Sequence, residues 1–324
     1  TNNEKIKKKV YLAFSNDREN LIKSSSGGMF SEIAKIVLEE KGIVFGAKFN
    51  ENMVLKHSYI ENINELDKLR GSKYVQSNIG DSYIKVKEFL DKEKKVLFVG
   101  TPCQVNGLKA FLNCKQENLI TIDLICHGVP SLKIFKEYLK TLKINNMTDF
   151  KFRYKIKNNV GYGFAIFNKN KKIKHYKGNY TSYGYAFLNG MIQRKSCYNC
   201  KFADIDRVSD ITLGDYWQEI NQSGGITNNE GISLMIINSK EGDKIFNKIK
   251  KNIVYVPTNL ELAKKSNIHL TKSINENPKR DKIYNELGKS NFNKIAKKYI
   301  YPDNIYIIRI KELIPKKIKS LVKR

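Results

Sequence analysis

The sequence contains little cysteine, proline or tryptophan, and it has no long apolar run. Among its 324 residues are five cysteines, six prolines and one tryptophan. Five cysteines are too few for a disulfide scaffold, and an odd number is unusual for a secreted protein. Six prolines with 20 glycines exclude collagen-like and low-complexity chains. Because no run is long enough to span a membrane and the polar N-terminus has no apolar signal core, we expect a cytoplasmic protein with reduced thiols.

Acidic residues are also few relative to basic ones. The 59 lysines and arginines exceed the 32 aspartates and glutamates by 27 charges, which indicates an anionic partner, surface or ligand. Hydrophobic residues make up 41% of the chain and aromatic residues 11%, so a chain disordered throughout is excluded. The length is typical of one large domain or two ordinary ones.

Strand and helix patterns alternate along the first half of the chain. Short apolar runs predict strands at residues 10–14, 43–49, 94–100 and 119–126. Helical spacing of apolar residues predicts a helix over residues 29–38, with Gly42 as its expected C-cap. Further helices are expected over residues 79–94 and after Ser131, a good N-cap residue. This alternation favours an α/β architecture with a largely parallel sheet.

The pattern changes near Met147. Residues 150–185 are rich in Tyr, Phe and Lys in alternation, which predicts antiparallel hairpins. The predicted fold class is therefore α/β of mixed α+β character: a layered sheet with flanking helices, followed by a second α+β region with antiparallel strands. We predict an N-terminal domain over residues 1–147, a C-terminal domain over residues 148–292, and a basic amphipathic tail over residues 293–324.

Four of the cysteines give the strongest chemical signal. Cys103 and Cys126 each lie at the end of a predicted strand, and Cys197 and Cys200 form a CxxC pair. Because the carboxyl ends of strands in an open α/β sheet face one crevice, the first two thiols can approach each other there. The CxxC pair would complete a four-thiolate site, which suits either zinc or an iron–sulfur cluster, although buried cysteines are also common core residues. Cys114 is expected to be a surface bystander.

Several other residues have both a functional and a structural interpretation. The turn at residues 25–28 precedes a helix, so its amides can bind a phosphate or simply begin the helix. His127 can contact a ligand or cap a helix. His127 and Lys155 are the candidate catalytic residues, because each can reach a developing negative charge. Lys73, Arg153 and Lys155 can hold a phosphate or be solvated.

Five long motifs in one order resemble a known family. They are SSSGGMF, LRGSKYVQS, LFVGTPCQVNGL, DLICHGVPS and CYNCKFADIDRVSDITLGDYW. Over about residues 10–252, the chain resembles the coenzyme F-420 (F420) hydrogenase/dehydrogenase beta subunit family, with its N- and C-terminal domains together. It is most similar to the bacterial members that are encoded with cell-surface polysaccharide genes.

The resemblance implies a flavoprotein with an iron–sulfur cluster. FAD would lie in the crevice beside a [4Fe-4S] cluster, which favours iron–sulfur over zinc. The implied cluster ligands are Cys103, Cys126, Cys197 and Cys200. The implied cofactor-binding residues are Ser25, Ser26, Gly27, Gly28, Lys73, Thr101 and His127. Such an enzyme transfers hydride at the flavin and relays single electrons through the cluster.

The function expected from this resemblance is an FAD- and [4Fe-4S]-dependent oxidoreductase. Its substrate would be a small molecule or sugar derivative in cell-surface polysaccharide biosynthesis. An alternative is an electron-transfer subunit that oxidises or reduces coenzyme F420 or NAD(P)H for a partner enzyme. A second alternative is a non-catalytic basic protein with a structural zinc site that binds a membrane surface or nucleic acid. No nucleic-acid-binding motif is present, so a nucleic-acid partner is not expected.

Two departures from the family bear on the expected partners. The chain has no CxxCxxCxxxCP run of the kind found in the N-terminal ferredoxin module of many bacterial relatives, and it begins at Thr1. We therefore expect the module to have been lost or trimmed, and electrons to come from an external donor such as ferredoxin. The basic tail lies outside the motifs. It is expected either to bind an anionic membrane surface, which would place the protein at the inner face of the membrane, or to be a solvated helix.

Overall fold

A mixed sheet of eight strands forms the centre of the molecule. The computed structural model describes residues 7–114, 116–156, 159–169, 171–178, 181–217 and 225–301. The strands are β1 (Lys9–Ser15), β2 (Ile43–Phe49), β3 (Leu55–Ile60), β4 (Val96–Gly100), β5 (Leu119–Leu124), β9 (Ile211–Asp215), β10 (Ser233–Ile237) and β11 (Ile253–Thr258). Their order across the sheet is β11-β1-β10-β9-β5-β4-β2-β3.

Only the middle of this sheet is parallel. Strands β2, β4, β5 and β9 run in the same direction, whereas β3, β10, β1 and β11 join by antiparallel pairing. The expectation of a largely parallel sheet was therefore wrong for its outer part. The alternation of strands and helices predicted the parallel centre, but the partners of β1 lie more than 200 residues away in sequence and leave no local signal.

Helices cover both faces of the sheet. They are α1 (Arg18–Lys23), α2 (Met29–Glu39), α3 (Ser82–Asp91), α4 (Pro102–Leu112), α5 (Leu132–Thr141), α6 (Ser182–Leu188), α7 (Lys195–Tyr198), α8 (Lys240–Ile249), α9 (Leu260–Ser266), α10 (Arg280–Glu286) and α11 (Phe292–Ile295). Short 3₁₀ helices lie at Ile63–Lys68, Lys250–Asn252 and Ile268–Leu270, and a π-helix at Ala296–Ile300. Side chains of α2 and α8 pack on one face in a core with strand residues such as Ile120 and Ile122.

Of two helix caps predicted from the sequence, one was correct and one was wrong. Ser131 accepts a hydrogen bond from the Ile134 amide and caps α5, as predicted. The expected C-cap of α2 at Gly42 was wrong, because the helix ends at Glu39 with Glu40 as its C-cap, and Lys41 has the positive φ of 58°. Gly42 is needed for a different reason: a Cβ there would lie 2.7 Å from the carbonyl oxygen of Lys95.

A second, three-stranded antiparallel sheet packs beside the first. It consists of β6 (Asp149–Ile156), β7 (Asn159–Asn168) and β8 (Lys171–Lys177), in that order. Its buried face carries Phe150, Phe152 and Phe164, which pack on Phe135 of α5 and Tyr183 of α6. The predicted fold class is confirmed: a mixed α/β protein with flanking helices and a separate antiparallel sheet.

The chain returns to the large sheet after this excursion. Strands β9, β10 and β11 follow residue 147 in sequence, yet they lie in the same sheet as β1 to β5. The division at residue 147 stays a prediction. Of the predicted tail, residues 302–324 lie outside the described residues. Within the described ranges, no helix has the length and apolar character needed to cross a membrane.

Candidate functional site

The candidate site lies where the central parallel strands end. Neighbouring strands β4, β5 and β9 end at Gly100, Leu124 and Asp215. Cys103 follows β4 in the first turn of α4, and Cys126 stands two residues beyond the end of β5. The strand-end argument therefore placed both cysteines correctly at one edge of the sheet.

The CxxC pair is brought to the same edge. Burial, together with smaller effects of the nearby thiols of Cys103, Cys197 and Cys200, raises the pKa of the Cys126 thiol to about 12. A Cβ placed on Gly128 would lie 3.1 Å from the Cβ of Cys197, so the two loops are in contact. The four predicted ligands thus lie in one region at this edge of the sheet, and all are free thiols.

Backbone contacts hold the CxxC loop against the loop after β5. The Arg194 amide donates to the carbonyl of Val129 (3.0 Å), and Pro130 forms a β-bridge with Gln193. The Tyr198 hydroxyl, between the two cysteines in sequence, donates to the Gly190 carbonyl at 2.8 Å. The relative positions of Cys126 and Cys197 are therefore set by main-chain hydrogen bonds rather than by the cysteines themselves.

Hydrogen-bonding groups lie beside the sulfur atoms of three of the four cysteines, although burial raises the net pKa values of Cys126 and Cys197. Backbone amides of Gly128 and Val129 lower the pKa values of Cys126 and Cys197, respectively, against the effect of burial. The Thr101 hydroxyl lies 3.1 Å from the Cys103 sulfur, which itself stands near the positive end of the α4 dipole. Hydrogen bonds to sulfur are among the features that tune iron–sulfur clusters.

The four cysteines fit a cluster by their chemistry. Four soft thiolate donors without carboxylates are the ligand set of iron–sulfur clusters and of structural zinc. Among the described residues, no group of three or more His, Cys, Asp or Glu side chains already stands in a geometry that could hold a metal ion. The assignment of Cys103, Cys126, Cys197 and Cys200 as ligands stays a prediction. Cys114 is exposed, and the side-chain amide of Gln116 donates to its sulfur.

His127 stands next to this site with one nitrogen unused. Burial and, to a smaller extent, neighbouring His269 lower its pKa to about 4, so the ring is neutral at pH 7. Its Nε2 is buried and has no hydrogen-bond partner among the described residues. The ring lies 4.9 Å from Phe187 and 4.3 Å from His269, between centroids. A buried, unpaired ring nitrogen is the feature that most favours a bound group at this position.

The serine- and glycine-rich turn is held firmly by the protein itself. The Ser25 hydroxyl accepts from the Ser72 amide (2.7 Å), and the Ser26 hydroxyl donates to the Ile232 carbonyl (2.7 Å). The Gly27 amide donates to the Ser233 hydroxyl (2.9 Å), so it is not available to a phosphate in this arrangement. Gly28, with φ of 86°, precedes α2 as its N-cap.

Two basic residues of β6 dock on this turn. Arg153 donates to the Ser25 carbonyl (3.1 Å) and to the Asp215 carboxylate (2.8 Å), and its guanidinium lies 5.1 Å from the Trp217 ring. Lys155 donates to the carbonyls of Leu21 (2.7 Å) and Ser26 (2.8 Å), and burial lowers its pKa to about 8. The predicted catalytic Lys155 is thus a structural contact of the turn.

A β-bulge makes this docking possible. The register between β6 and β7 shifts between Lys151 and Tyr154, which are three residues apart but pair with positions two residues apart. Bulges re-aim side chains and are common beside active sites. Here the bulge lies where Arg153 leaves the small sheet to reach the large one.

The remaining predicted flavin contacts are Lys73 and Thr101. Lys73 donates to the carbonyls of Leu69 (2.7 Å) and Arg70 (2.8 Å), and burial lowers its pKa to about 7. Thr101 caps α4, and its amide donates to the side chain of Gln104 (3.0 Å). Both therefore have intramolecular partners, and their contact with a flavin stays a prediction.

A buried histidine supports the loop before Cys103. His57 Nε2 lies 3.0 Å from the Val99 carbonyl and Nδ1 2.7 Å from the Ser77 hydroxyl. Because a carbonyl only accepts, Nε2 carries the hydrogen and Nδ1 accepts from Ser77. The Ser77 hydroxyl in turn accepts from the Gln104 side-chain amide (2.9 Å), and the Gln104 side-chain oxygen accepts from the Thr101 amide. The neutral histidine is thus part of the network that positions the start of α4.

We expect acid to weaken the fold through His57. Burial lowers its folded-state pKa to about 4, below the unfolded value of about 6.5. The unfolded chain therefore binds more protons between these values, and stability is lost as the pH falls. Lowering the pH from 7 to 5 should remove about 2 kcal/mol through this group. Urea unfolding of wild type and His57→Gln at both pH values measures it: a pH loss as large in the variant would contradict the assignment.

Sequence reasoning missed several residues of the site. The Tyr74 ring stacks on the Phe187 ring with 4.4 Å between centroids, and Phe187 in turn packs against the His127 ring. The Arg153 guanidinium donates to the Tyr74 hydroxyl (3.4 Å). Tyr74 therefore connects Arg153 to the surroundings of His127. His269 arrives from a 3₁₀ helix far along the chain. Only Tyr74 had a local signal, since it lies in the KYVQS part of a motif.

Comparisons with known proteins identify what the chain is similar to. The family model for the C-terminal part of the coenzyme F420 hydrogenase/dehydrogenase beta subunit matches residues 93–261, just over half of the chain. This stretch contains all four predicted cluster ligands. No curated protein matches the chain in sequence.

A solved structure has the same fold. The structure is the F420-reducing [NiFe] hydrogenase complex from Methanosarcina barkeri, studied as a xenon derivative. The TM-score is 0.54 at 19% sequence identity, and the alignment covers 86% of this chain and 91% of that chain. At this identity the likeness shows the fold alone, and the alignment covers more of the chain than the family model matches.

Proposed function

The chain belongs to the coenzyme F420 hydrogenase/dehydrogenase beta subunit family, and from this premise we propose that it is an electron-transfer subunit of an oxidoreductase. It would pass electrons between a two-electron carrier, coenzyme F420 or NAD(P)H, and a partner redox protein. FAD and a [4Fe-4S] cluster at the carboxyl edge of the sheet would mediate the transfer. This was the alternative expected from sequence, and the family and the structural neighbour favour it over a reductase of sugars.

The gathering of four cysteines at one edge of the sheet carries the proposal. They come from three separate parts of the chain, the start of α4, the loop after β5 and the CxxC loop, and each affects the titration of Cys126. When bound, the flavin would exchange two electrons as hydride and the cluster would exchange them singly. The chain itself would supply the cysteine sulfurs, donate amide hydrogen bonds to them and shield Cys126 from water.

The neighbouring side chains suggest how a flavin would be held. His127 is neutral and offers the buried Nε2, which can accept a hydrogen bond from a flavin or donate one to it, depending on the tautomer. Arg153 and Lys155 fix the turn at residues 25–28 through its carbonyls, so we assign them a positioning role there. Of the two predicted catalytic residues, His127 is therefore the one that we propose touches the flavin.

The partners follow from the same premise. The structural neighbour belongs to an F420-reducing hydrogenase complex, and this likeness supports a protein partner and coenzyme F420 as the carrier. An external donor such as ferredoxin serves the same role if no fixed partner exists. A sugar substrate from surface polysaccharide biosynthesis stays a prediction, because no described residue identifies a sugar.

Anaerobic purification followed by a visible spectrum, with iron, zinc and flavin assays on one sample, tests the proposal. We expect flavin and about four irons per chain, the content of a four-thiolate [4Fe-4S] site. Reduced coenzyme F420, NADH and NADPH are then mixed separately with the oxidised protein, and bleaching of the flavin band identifies the carrier. Zinc without flavin would overturn the proposal and leave a structural metal site.

A further inference from the structure

A buried ion pair lies behind the cysteines. Asp123 of β5 stands three residues before Cys126, and Arg207 stands seven residues after Cys200. Arg207 Nη1 is 3.9 Å from Asp123 Oδ1, with side-chain exposures of 2% and 0%. Nε and Nη1 of Arg207 are buried without a hydrogen-bond partner among the described residues, and the Asp123 oxygens have only the hydroxyls of Ser209 and Thr212 as nearby hydrogen-bonding groups. The pair is therefore fully removed from water yet incompletely satisfied.

Such a pair is poorly explained as a device for stability. Taking two charges out of water costs more than a loose ion pair returns, and apolar replacement of both partners is often neutral or stabilising. Removing only one partner is strongly destabilising, because it leaves a lone buried charge. The pair needs another reason to be there.

Its position provides that reason, because the three cysteine-bearing elements meet at the segment around Arg207. Asp123 belongs to the strand that leads to Cys126. Lys109 of α4, the helix that begins beside Cys103, donates to the carbonyl of Val208. Arg207 itself continues the chain from the CxxC loop. No other pair of charged side chains in the described ranges connects two of these elements at zero to 2% exposure.

Arg207 also supports the histidines beside the site. Its Nη2 donates to the carbonyl of Leu270 at 3.1 Å. Leu270 ends the 3₁₀ helix that carries His269, whose ring packs edge-on against His127 at 4.3 Å. The Arg207 guanidinium thus contacts both β5, which leads to Cys126, and the 3₁₀ helix, which packs against His127.

We propose that Asp123 and Arg207 are positioning residues that set the CxxC loop at the distance from Cys103 and Cys126 required to share one cluster. The pair contacts no predicted ligand and acts through the elements that carry them. This inference rests on the proposed function for its role but not for its geometry, which concerns the distance between thiols of the protein.

The test uses the double variant Asp123→Leu with Arg207→Met, which leaves no lone buried charge. We expect it to fold with an unchanged or higher melting temperature. We also expect it to lose iron to a chelator about tenfold faster than wild type, as outer-shell changes commonly weaken metal sites by that factor or more. Arg207→Lys keeps the positive charge but not the planar guanidinium, so its rate of iron loss should lie between those of wild type and the double variant.

A second measurement works without any metal. In a Cys114→Ser background, the metal-free protein is treated with a short bis-maleimide. The cross-link between Cys103, which is exposed, and Cys197 is quantified by peptide mass spectrometry. The yield should fall at least severalfold in the double variant. Glu40→Gln with Lys248→Gln, which removes an exposed ion pair of 2.6 Å elsewhere, is the control and should change neither measurement.

The outcomes separate this inference from the proposed function. Equal iron loss and equal cross-linking in wild type and double variant would overturn the inference. A double variant that fails to fold would also overturn it, because the pair would then stabilise the whole fold. If wild type takes up no iron, the proposed function fails, while the cross-linking yields still decide the role of the pair.

Discussion

Replacing Cys126, Cys197 or Cys200 with serine is expected to remove most of the iron and the brown colour of the anaerobically purified protein. A hydroxyl is a harder and far less acidic donor than a thiol, so it substitutes poorly for a thiolate ligand. Cys126 and Cys197 should both show large losses, because each sulfur receives an amide hydrogen bond, from Gly128 and Val129 respectively. The iron content per chain and the visible absorbance of the iron–sulfur cluster measure the effect.

Cys114→Ser is the matched control for these variants. Cys114 is exposed, and its sulfur contacts only the nearby Leu112 carbonyl and Gln116 side chain in the described structure. This variant should keep its full iron content. Equal iron loss in the Cys114 and Cys197 variants would contradict the ligand assignment, and full iron in all three ligand variants would exclude a four-thiolate cluster.

Arg153→Leu is expected to lower the free energy of unfolding by about 3 kcal/mol, the lower end of the range for breaking a buried ion pair. The guanidinium has an exposed side-chain fraction of only 8% and holds the Asp215 carboxylate, the Ser25 carbonyl and the Tyr74 hydroxyl together. Without it, the Asp215 carboxylate loses this partner at the end of β9. Urea unfolding followed by circular dichroism measures the change.

Lys151→Leu is the matched control, two residues away on the same strand. Lys151 lies over the Phe167 ring at 5.2 Å, a contact worth about 0.5–1 kcal/mol at an exposed site. The single tryptophan gives a second readout, since the Arg153 guanidinium lies over Trp217. Its emission should change in the Arg153 variant and not in the Lys151 variant. Equal stability losses in the two variants would show that Arg153 has no special role.

The parts of the site with local signals could be predicted from sequence. Cys103 and Cys126 lie at the ends of apolar strand patterns, and the rule that parallel strand ends meet at one edge predicted their location at the same edge of the sheet. The CxxC pair was assigned to the same site because its chemistry matched. In each case the residue type and its place after a strand contain the information, without knowledge of distant contacts.

The parts that depend on distant pairing could not be predicted. Nothing near Asp123 or Arg207 indicates that they meet, because their approach depends on β5 pairing with β9. The contact between His269 and His127 also joins residues that are far apart in sequence, so nothing near either residue indicates it. The antiparallel half of the sheet was missed because β1 carries a strand pattern that is the same whether its neighbours run with it or against it.

The position of β1 has a consequence for the order in which the chain can fold. This strand pairs with β10 on one side, Ala13 opposite Ser233, and with β11 on the other, Ser15 opposite Ile253. During synthesis, both of its edges stay unpaired until more than 200 further residues have been made. Exposed apolar strand edges invite pairing with other chains, and such long-range pairing is intrinsically slow. The protein must therefore complete its main sheet late, after translation of β11, so its yield in a cell will depend on how well nascent chains are kept from aggregating.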